Sequence, residues 1–224
     1  MTKGRVILVV GGARSGKSTF AEKLAVSAEL PLLYIATAQR SDAEMIARID
    51  QHLKDREDVD WTTVECSSSD LCSVDTSKHG VVLVDCLTLW LTNTMAECGW
   101  PSDENVDEKA VLWSKKVDDL ARKQMREFLD LTTKTQKKTV VLVANEVGLS
   151  TCPNGKISRY FRDTNGRVLQ DIARRSDCES VFFMVAGCAL DIKKMSAQAT
   201  LKRLGEEEED EDEEDEKVVK KLKQ

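Results

Sequence analysis

The sequence predicts an α/β fold in which a mainly parallel sheet, covered by helices on both faces, carries a P-loop nucleotide site. Three observations lead there. Short, β-branched apolar runs recur along the chain with helical periodicity between them. The first run leads straight into a glycine-rich segment ending in Gly16-Lys17-Ser18. A later run closes in Asp85, where such folds keep an acidic residue for a magnesium shell.

Taken in order, residues 5–10 form a short apolar run stopped by Gly11-Gly12, as a buried strand requires. From Lys17 a helix follows, with Phe20, Ala21, Leu24 and Ala25 on one face. Leu32–Ala36 is the second strand and runs into the polar Thr37-Ala38-Gln39. Ser41 and Glu44 have the spacing of a capping box, and Met45, Ile46, Ile49 and Leu53 make the apolar face of the helix behind it. Glu44, Arg48 and His52 share one flank of that helix at i, i+4 and i+8. A short extended piece, Trp61–Glu65, comes next, and Val81–Asp85 is a strong strand. Residues 88–139 read as helix broken at Gly99-Trp100-Pro101. Further strands are expected at 140–145 and 181–186, with a long helix over 159–175 between them.

Length and composition fit one domain over residues 1–204, followed by a tail. Apolar residues make up 41% of the 224-residue chain, enough for a sizeable core. Residues 205–224 hold eleven acids against four lysines, so the net charge of −6 belongs to the tail and leaves the body near +1. A body without a basic field argues against nucleic acid as a partner. The acidic run cannot bury a core and is expected to be disordered and solvated. The seven cysteines include no C-x-x-C pair and only two histidines accompany them, so reduced thiols in the cytoplasm are expected, not a zinc site. No apolar run approaches a membrane span, and the first strand begins too early for a signal peptide.

The segment Gly11-Gly12-Ala13-Arg14-Ser15-Gly16-Lys17-Ser18 matches G-x-x-x-x-G-K-[ST] between a strand and a helix. Glycines let the backbone wrap so that its N–H groups face phosphate oxygens, Lys17 reaches the β- and γ-phosphates, and Ser18 offers a hydroxyl to Mg²⁺. Asp85 is the matching acidic group, so Ser18 and Asp85 are the candidate metal residues. A chance glycine-rich turn is the competing explanation, and the strand–loop–helix context makes it a poor one.

Together the P-loop, Tyr34-Ile35-Ala36-Thr37-Ala38, Asp42-Ala43-Glu44-Met45 with Arg48-Ile49 and His52, and Trp61-Thr62-Thr63-Val64-Glu65 resemble one family. Further along, Asp85-Cys86-Leu87-Thr88-Leu89-Trp90-Leu91-Thr92-Asn93, Asn145-Glu146-Val147-Gly148, Pro153, Arg159-Tyr160-Phe161-Arg162-Asp163 and Gly166-Arg167 continue the match. The family is the bifunctional adenosylcobinamide kinase / adenosylcobinamide-phosphate guanylyltransferase of cobalamin biosynthesis. The resemblance, over roughly residues 5–195, implies a fold similar to the recombinase-type ATPases and a homotrimer. It also implies two reactions: phosphorylation of adenosylcobinamide by ATP or GTP, then transfer of GMP from GTP to that phosphate. His52 matches the histidine that carries the guanylyl group. Nucleotide contacts carry over to the P-loop, Thr37, Ala38, Gln39, Leu53, Lys54, Asp55, Arg56, Glu65 and Asp85.

His52 also has a physical case, since a neutral imidazole is nucleophilic near neutral pH and can attack an α-phosphorus. Arg48, one turn earlier, could neutralise developing charge. Taken alone, a histidine on a helix shoulder is more often a plain surface residue. His79, in Ser77-Lys78-His79-Gly80, reads as an exposed loop residue. Arg159, Arg162 and Arg167 fit either phosphate binding or ordinary ion pairs with Glu146 and Asp163. Trp90 is expected to pack against the sheet. Ser150 and Leu169 depart from the family pattern, which usually has glycine and asparagine there. A P-loop kinase of another small alcohol, without the nucleotidyl step, is the alternative function.

Overall fold

The computed structural model describes residues 4–54, 56–101 and 108–195. The boundary at 204 and the acidic tail lie outside the described residues. Seven strands form one sheet: β1 (Arg5–Gly11), β2 (Leu32–Ala36), β3 (Trp61–Glu65), β4 (Val81–Asp85), β5 (Thr139–Asn145), β6 (Cys178–Val185) and β7 (Cys188–Asp191). Their order is β3-β2-β4-β5-β1-β6-β7, parallel except for β7, which pairs antiparallel with β6. The helices are α1 (Lys17–Val26), α2 (Ala43–Lys54), α3 (Leu87–Glu97), α4 (Glu108–Leu129) and α5 (Lys156–Ala173).

Alternation along β1 explains why its sequence is apolar from Val6 to Val10. Val6, Leu8 and Val10 point into one core cluster while Ile7 and Val9 point into the other. The first cluster lies under α3, α4 and α5, with Trp90, Phe128 and Leu129 buried in it. Trp90 packs there as expected, and its indole N–H donates to the Ser69 carbonyl at 2.7 Å, so the buried polar atom is satisfied. On the opposite face α1 presents Ala21 and Ala25, both fully buried, so the helix lies close on the sheet. α4 continues into a π-helical turn over Asp130–Thr135, where the Thr132 and Thr133 hydroxyls donate to the carbonyls of Phe128 and Leu129.

Four expectations need correction. The sheet has an additional strand, β7, and β6 begins three residues before the predicted 181; Ala186 and Gly187 at positive φ make the tight turn between them. α2 is capped by Asp42, whose Oδ1 accepts from the Met45 N–H at 2.9 Å; Ser41 donates its hydroxyl to the other carboxylate oxygen. A carboxylate at that point also meets the positive end of the helix dipole, which a serine does not. The apolar face of α2 finds no bed, for Ile46 and Leu53 are each 38% exposed and Met45 and Ile49 only half-buried. His79 is half-buried, and its carbonyl and that of Ser77 receive the Lys138 ammonium.

Candidate active site

The P-loop starts where β1 runs out. Gly11 has no room for a side chain, since a Cβ would lie 2.6 Å from Ser15 Oγ and 2.7 Å from the Met184 carbonyl oxygen. Gly16, at φ 89°, occupies the left-handed region directly before α1. Three backbone ties brace the loop. The Glu146 N–H donates to the Gly11 carbonyl at 2.9 Å, the Ser15 N–H to Gly12 at 3.3 Å, and the Gly187 N–H to Ser15 at 3.1 Å. The unexpected β6–β7 turn thus supports the loop from behind. Lys17 lays its ammonium over the loop, donating to the Gly12 carbonyl at 3.1 Å. Ser15 Oγ is buried with no hydrogen-bond partner among the described residues.

Asp85 ends β4 on the side of the sheet that α1 covers. Its Oδ2 accepts the Tyr34 hydroxyl at 2.9 Å. Tyr34 is nearly inaccessible, and burial, reinforced by the Asp85 charge, holds its phenol well above the usual range. The Arg56 guanidinium, itself buried, lies 3.6 Å above the centre of the Tyr34 ring. The peptide from Asp85 to Cys86 is cis. Burial pushes the Cys86 thiol up to about 11, with the Asp85 charge adding to the effect.

Thr37 is completely buried and clamps that turn, accepting from the Cys86 N–H at 2.8 Å and donating to the Cys86 carbonyl at 2.7 Å. Asn93 on α3 donates to the Thr37 carbonyl at 3.0 Å and receives Gln39 at 3.1 Å. Of the Thr37-Ala38-Gln39 contacts expected from the resemblance, the Thr37 side chain is therefore engaged by the protein itself. Ala38 is half-buried and Gln39 exposed.

His52, Leu53 and Lys54 stand exposed on the last turn of α2. The His52 imidazole has no hydrogen-bond partner among the described residues. Asp55 and the Arg48 side chain lie outside the described residues. Arg40 ties the region together, pairing with Asp50 on α2 at 3.1 Å and with Glu65 at the end of β3 at 3.3 Å. These ion pairs are solvent-exposed and individually weak. β3 and β1 are separated by β2, β4 and β5, so at about 4.8 Å per strand Glu65 lies roughly 19 Å across the sheet from β1.

The three arginines of the fifth helix are committed elsewhere. Arg159 donates to the carbonyls of Pro153 and Asn154, Arg162 pairs with Asp163, and Arg167 pairs with Asp118 on α4 at 2.6 Å. That answers the ion-pair alternative for Arg162 and Arg167, but with Asp118 in the place expected for Glu146. Glu146 instead accepts the N–H groups of Gly148 and Leu149 in its own turn. Leu169 packs against the core and Ser150 lies in an exposed loop. A cleft of about 340 Å³ lies between α4 and α5, where α5 leads back to the start of β6. Its Arg122 and Arg175 are paired with Asp171 and Asp130.

The donor set at the P-loop suits a small hard cation. Ser18 offers a hydroxyl, and Asp85 has one carboxylate oxygen anchored by Tyr34 and one without a hydrogen bond from any described residue. Among the described residues no three His, Cys, Asp or Glu side chains cluster as a metal cage.

A parallel sheet, a glycine loop feeding a helix, and an acidic strand end together define a P-loop nucleotide-binding protein. The family model described as cobinamide kinase / cobinamide phosphate guanyltransferase matches residues 7–192, and the chain belongs to that family. It is 38% identical over 190 residues to the bifunctional adenosylcobalamin biosynthesis protein CobU of Salmonella typhimurium, covering 84% of this chain and 99% of that one. Against CobP of Pseudomonas aeruginosa, which carries the same bifunctional description, identity is 37%, with 83% and 96% covered. Among solved structures the likeness is looser; the RadB recombinase aligns at a TM-score of 0.38 and 13% identity, over 81% of this chain and 74% of its own.

Proposed function

We propose that this chain phosphorylates adenosylcobinamide with ATP or GTP and then transfers GMP from GTP to the resulting phosphate. The observation that carries the reading is the braced P-loop with Lys17 and Ser18, in a chain of this family. In the first step the alcohol oxygen attacks the γ-phosphorus and the nucleoside diphosphate leaves. Lys17 neutralises charge on the β- and γ-phosphates, and the loop N–H groups hold them in line. Mg²⁺, held by Ser18 and Asp85, would supply charge neutralisation at the same phosphates.

In the second step a ring nitrogen of His52 attacks the α-phosphorus of GTP and pyrophosphate leaves. An oxygen of cobinamide phosphate then attacks the guanylylated histidine, giving adenosylcobinamide-GDP and freeing the imidazole. His52 stands exposed on a helix that the core does not hold, so α2 must carry it to the nucleotide. Glu65, Leu53, Lys54, Asp55 and Arg56 are the residues around His52 that would meet the guanosine. In this reading the protein acts in the cytoplasm as a homotrimer, and no described helix is long and apolar enough to cross a membrane.

The test uses GTP labelled on the α-phosphate, with Mg²⁺, on the native protein and on His52→Ala. Acid-labile label on the native protein alone, chased off by adenosylcobinamide phosphate, is the expected result. No label on either would reduce the function to a P-loop kinase.

A further inference from the structure

Strand register places Tyr34 directly beneath the candidate magnesium carboxylate. β2 and β4 pair in parallel with Tyr34 opposite Leu83 and Ala36 opposite Asp85. Registered neighbours point to the same side, and side chains alternate with period two, so Tyr34, Leu83 and Asp85 share the face that α1 covers. From there the phenol reaches two residue pairs along the strands, to the next pair on the same face, and its O–H donates to Asp85 Oδ2 at 2.9 Å.

The ring is buried and contacted on one face and at one edge. Arg56, two residues beyond the end of α2, covers one face at 3.6 Å. Trp61 on β3 meets it edge-on, with ring centres 5.6 Å apart and planes at 90°. A phenylalanine would fill this space equally well, so packing does not account for the hydroxyl. What the hydroxyl does is fix one carboxylate oxygen and leave the other without a hydrogen bond from any described residue.

We infer that Tyr34 is a positioning residue for the metal carboxylate: its hydroxyl orients Asp85 toward the cation bound with the nucleotide, and Arg56, from the segment just after His52, locks the phenol in place. A carboxylate that must turn on its own spends orientation freedom when it meets the ion; one already held by a charge-assisted hydrogen bond does not. The inference rests on the reading of Asp85 as a metal residue, and the experiment separates the two.

Mg²⁺ is titrated into protein carrying a fluorescent GTP analogue, and the half-saturating Mg²⁺ concentration is read for the native chain, Tyr34→Phe, Asp85→Asn and the double variant. Analogue affinity in chelator and the thermal midpoint serve as controls for folding. Tyr34→Phe is expected to raise the Mg²⁺ midpoint about 10-fold, in the range of 10–100-fold for losing a group that orients a metal ligand. Its affinity in chelator stays within about twofold of native, because the ring, the Arg56 stack and the Trp61 contact all remain. Asp85→Asn raises the midpoint at least as far, and the double variant matches Asp85→Asn alone, because Tyr34 acts only through that carboxylate. A native midpoint in Tyr34→Phe, or shifts that add in the double variant, would overturn the positioning role while Asp85 keeps its own. A native midpoint in Asp85→Asn would remove both.

Discussion

The P-loop arm and the α2 arm of this molecule carry the two halves of one proposed reaction sequence, and they are built in opposite ways. The P-loop sits between a central strand with residues buried on both faces and a helix seated by two fully buried alanines, and it is braced by two backbone hydrogen bonds from distant segments and one within the loop. α2 contributes no buried side chain among those described, and is tied by an aspartate cap and exposed ion pairs through Arg40. Phosphoryl transfer needs fixed donors around a fixed phosphate chain, which favours a rigid mount. A nucleophile that must reach the α-phosphorus and then hand its group to a second substrate is better served by an element the core leaves free.

The largest expected effect tests that division directly. His52→Ala should lower guanylyl transfer by more than about 10⁴-fold, as loss of a covalent nucleophile does, and leave phosphorylation of adenosylcobinamide at the native rate. Lys17→Ala should cost the kinase step roughly 10²–10³-fold, the scale of losing one electrostatic donor, with the thermal midpoint unchanged. If His52→Ala impaired both steps equally, the two arms would not be the separate devices their mounting suggests.

Stability provides the next contrast. Trp90→Ala removes a fully buried indole from the core and should destabilise the protein by about 3–5 kcal/mol in denaturant unfolding. Asp42→Ala, at the cap of α2, should cost about 1 kcal/mol of local helix stability, visible in amide exchange along α2 and nearly absent from global unfolding. An equal effect of Asp42→Ala on global unfolding would mean that α2 is part of the cooperative core.

Thiol chemistry gives the smallest and cheapest readout. Exposed Cys152 and Cys188 should alkylate first at mildly alkaline pH, whereas Cys86 should react only on unfolding. Its thiol is raised to about 11 by burial, so the folded state keeps the proton that an unfolded chain would release. The stability this contributes is full below the ordinary thiol value and is lost as pH climbs through that value toward 11. Early alkylation of Cys86 in the folded protein would show that the turn after Asp85 opens readily.

Much of the fold was legible because the signals are local. Strands β1, β2, β3 and β4 announce themselves as short β-branched or extended runs, and the P-loop is a contiguous segment whose chemistry follows from its residue types. β7 is not legible in the sequence because Cys188–Asp191 is only four residues long, with alternate residues exposed as on an edge strand; Ala186-Gly187 is the available hint of the turn. The cap of α2 was misplaced by one residue because Ser41 and Asp42 are both good caps, and only the hydrogen bond to Met45 separates them. The pairing of Arg167 with Asp118 is not legible in the sequence because the two residues are 49 positions apart.

By itself the sequence determined the strand and helix types, the phosphate-binding loop, the candidate metal residues and the family, since each of these is carried by spacing and residue type within short stretches. Only the tertiary structure decided that Thr37 clamps a turn, that the Tyr34 hydroxyl donates to Asp85, and that the apolar face of α2 stays half-exposed. Those outcomes depend on which strands become neighbours and in what register. That is set by the packing of the whole sheet, where residues dozens of positions apart meet, and no local pattern encodes it.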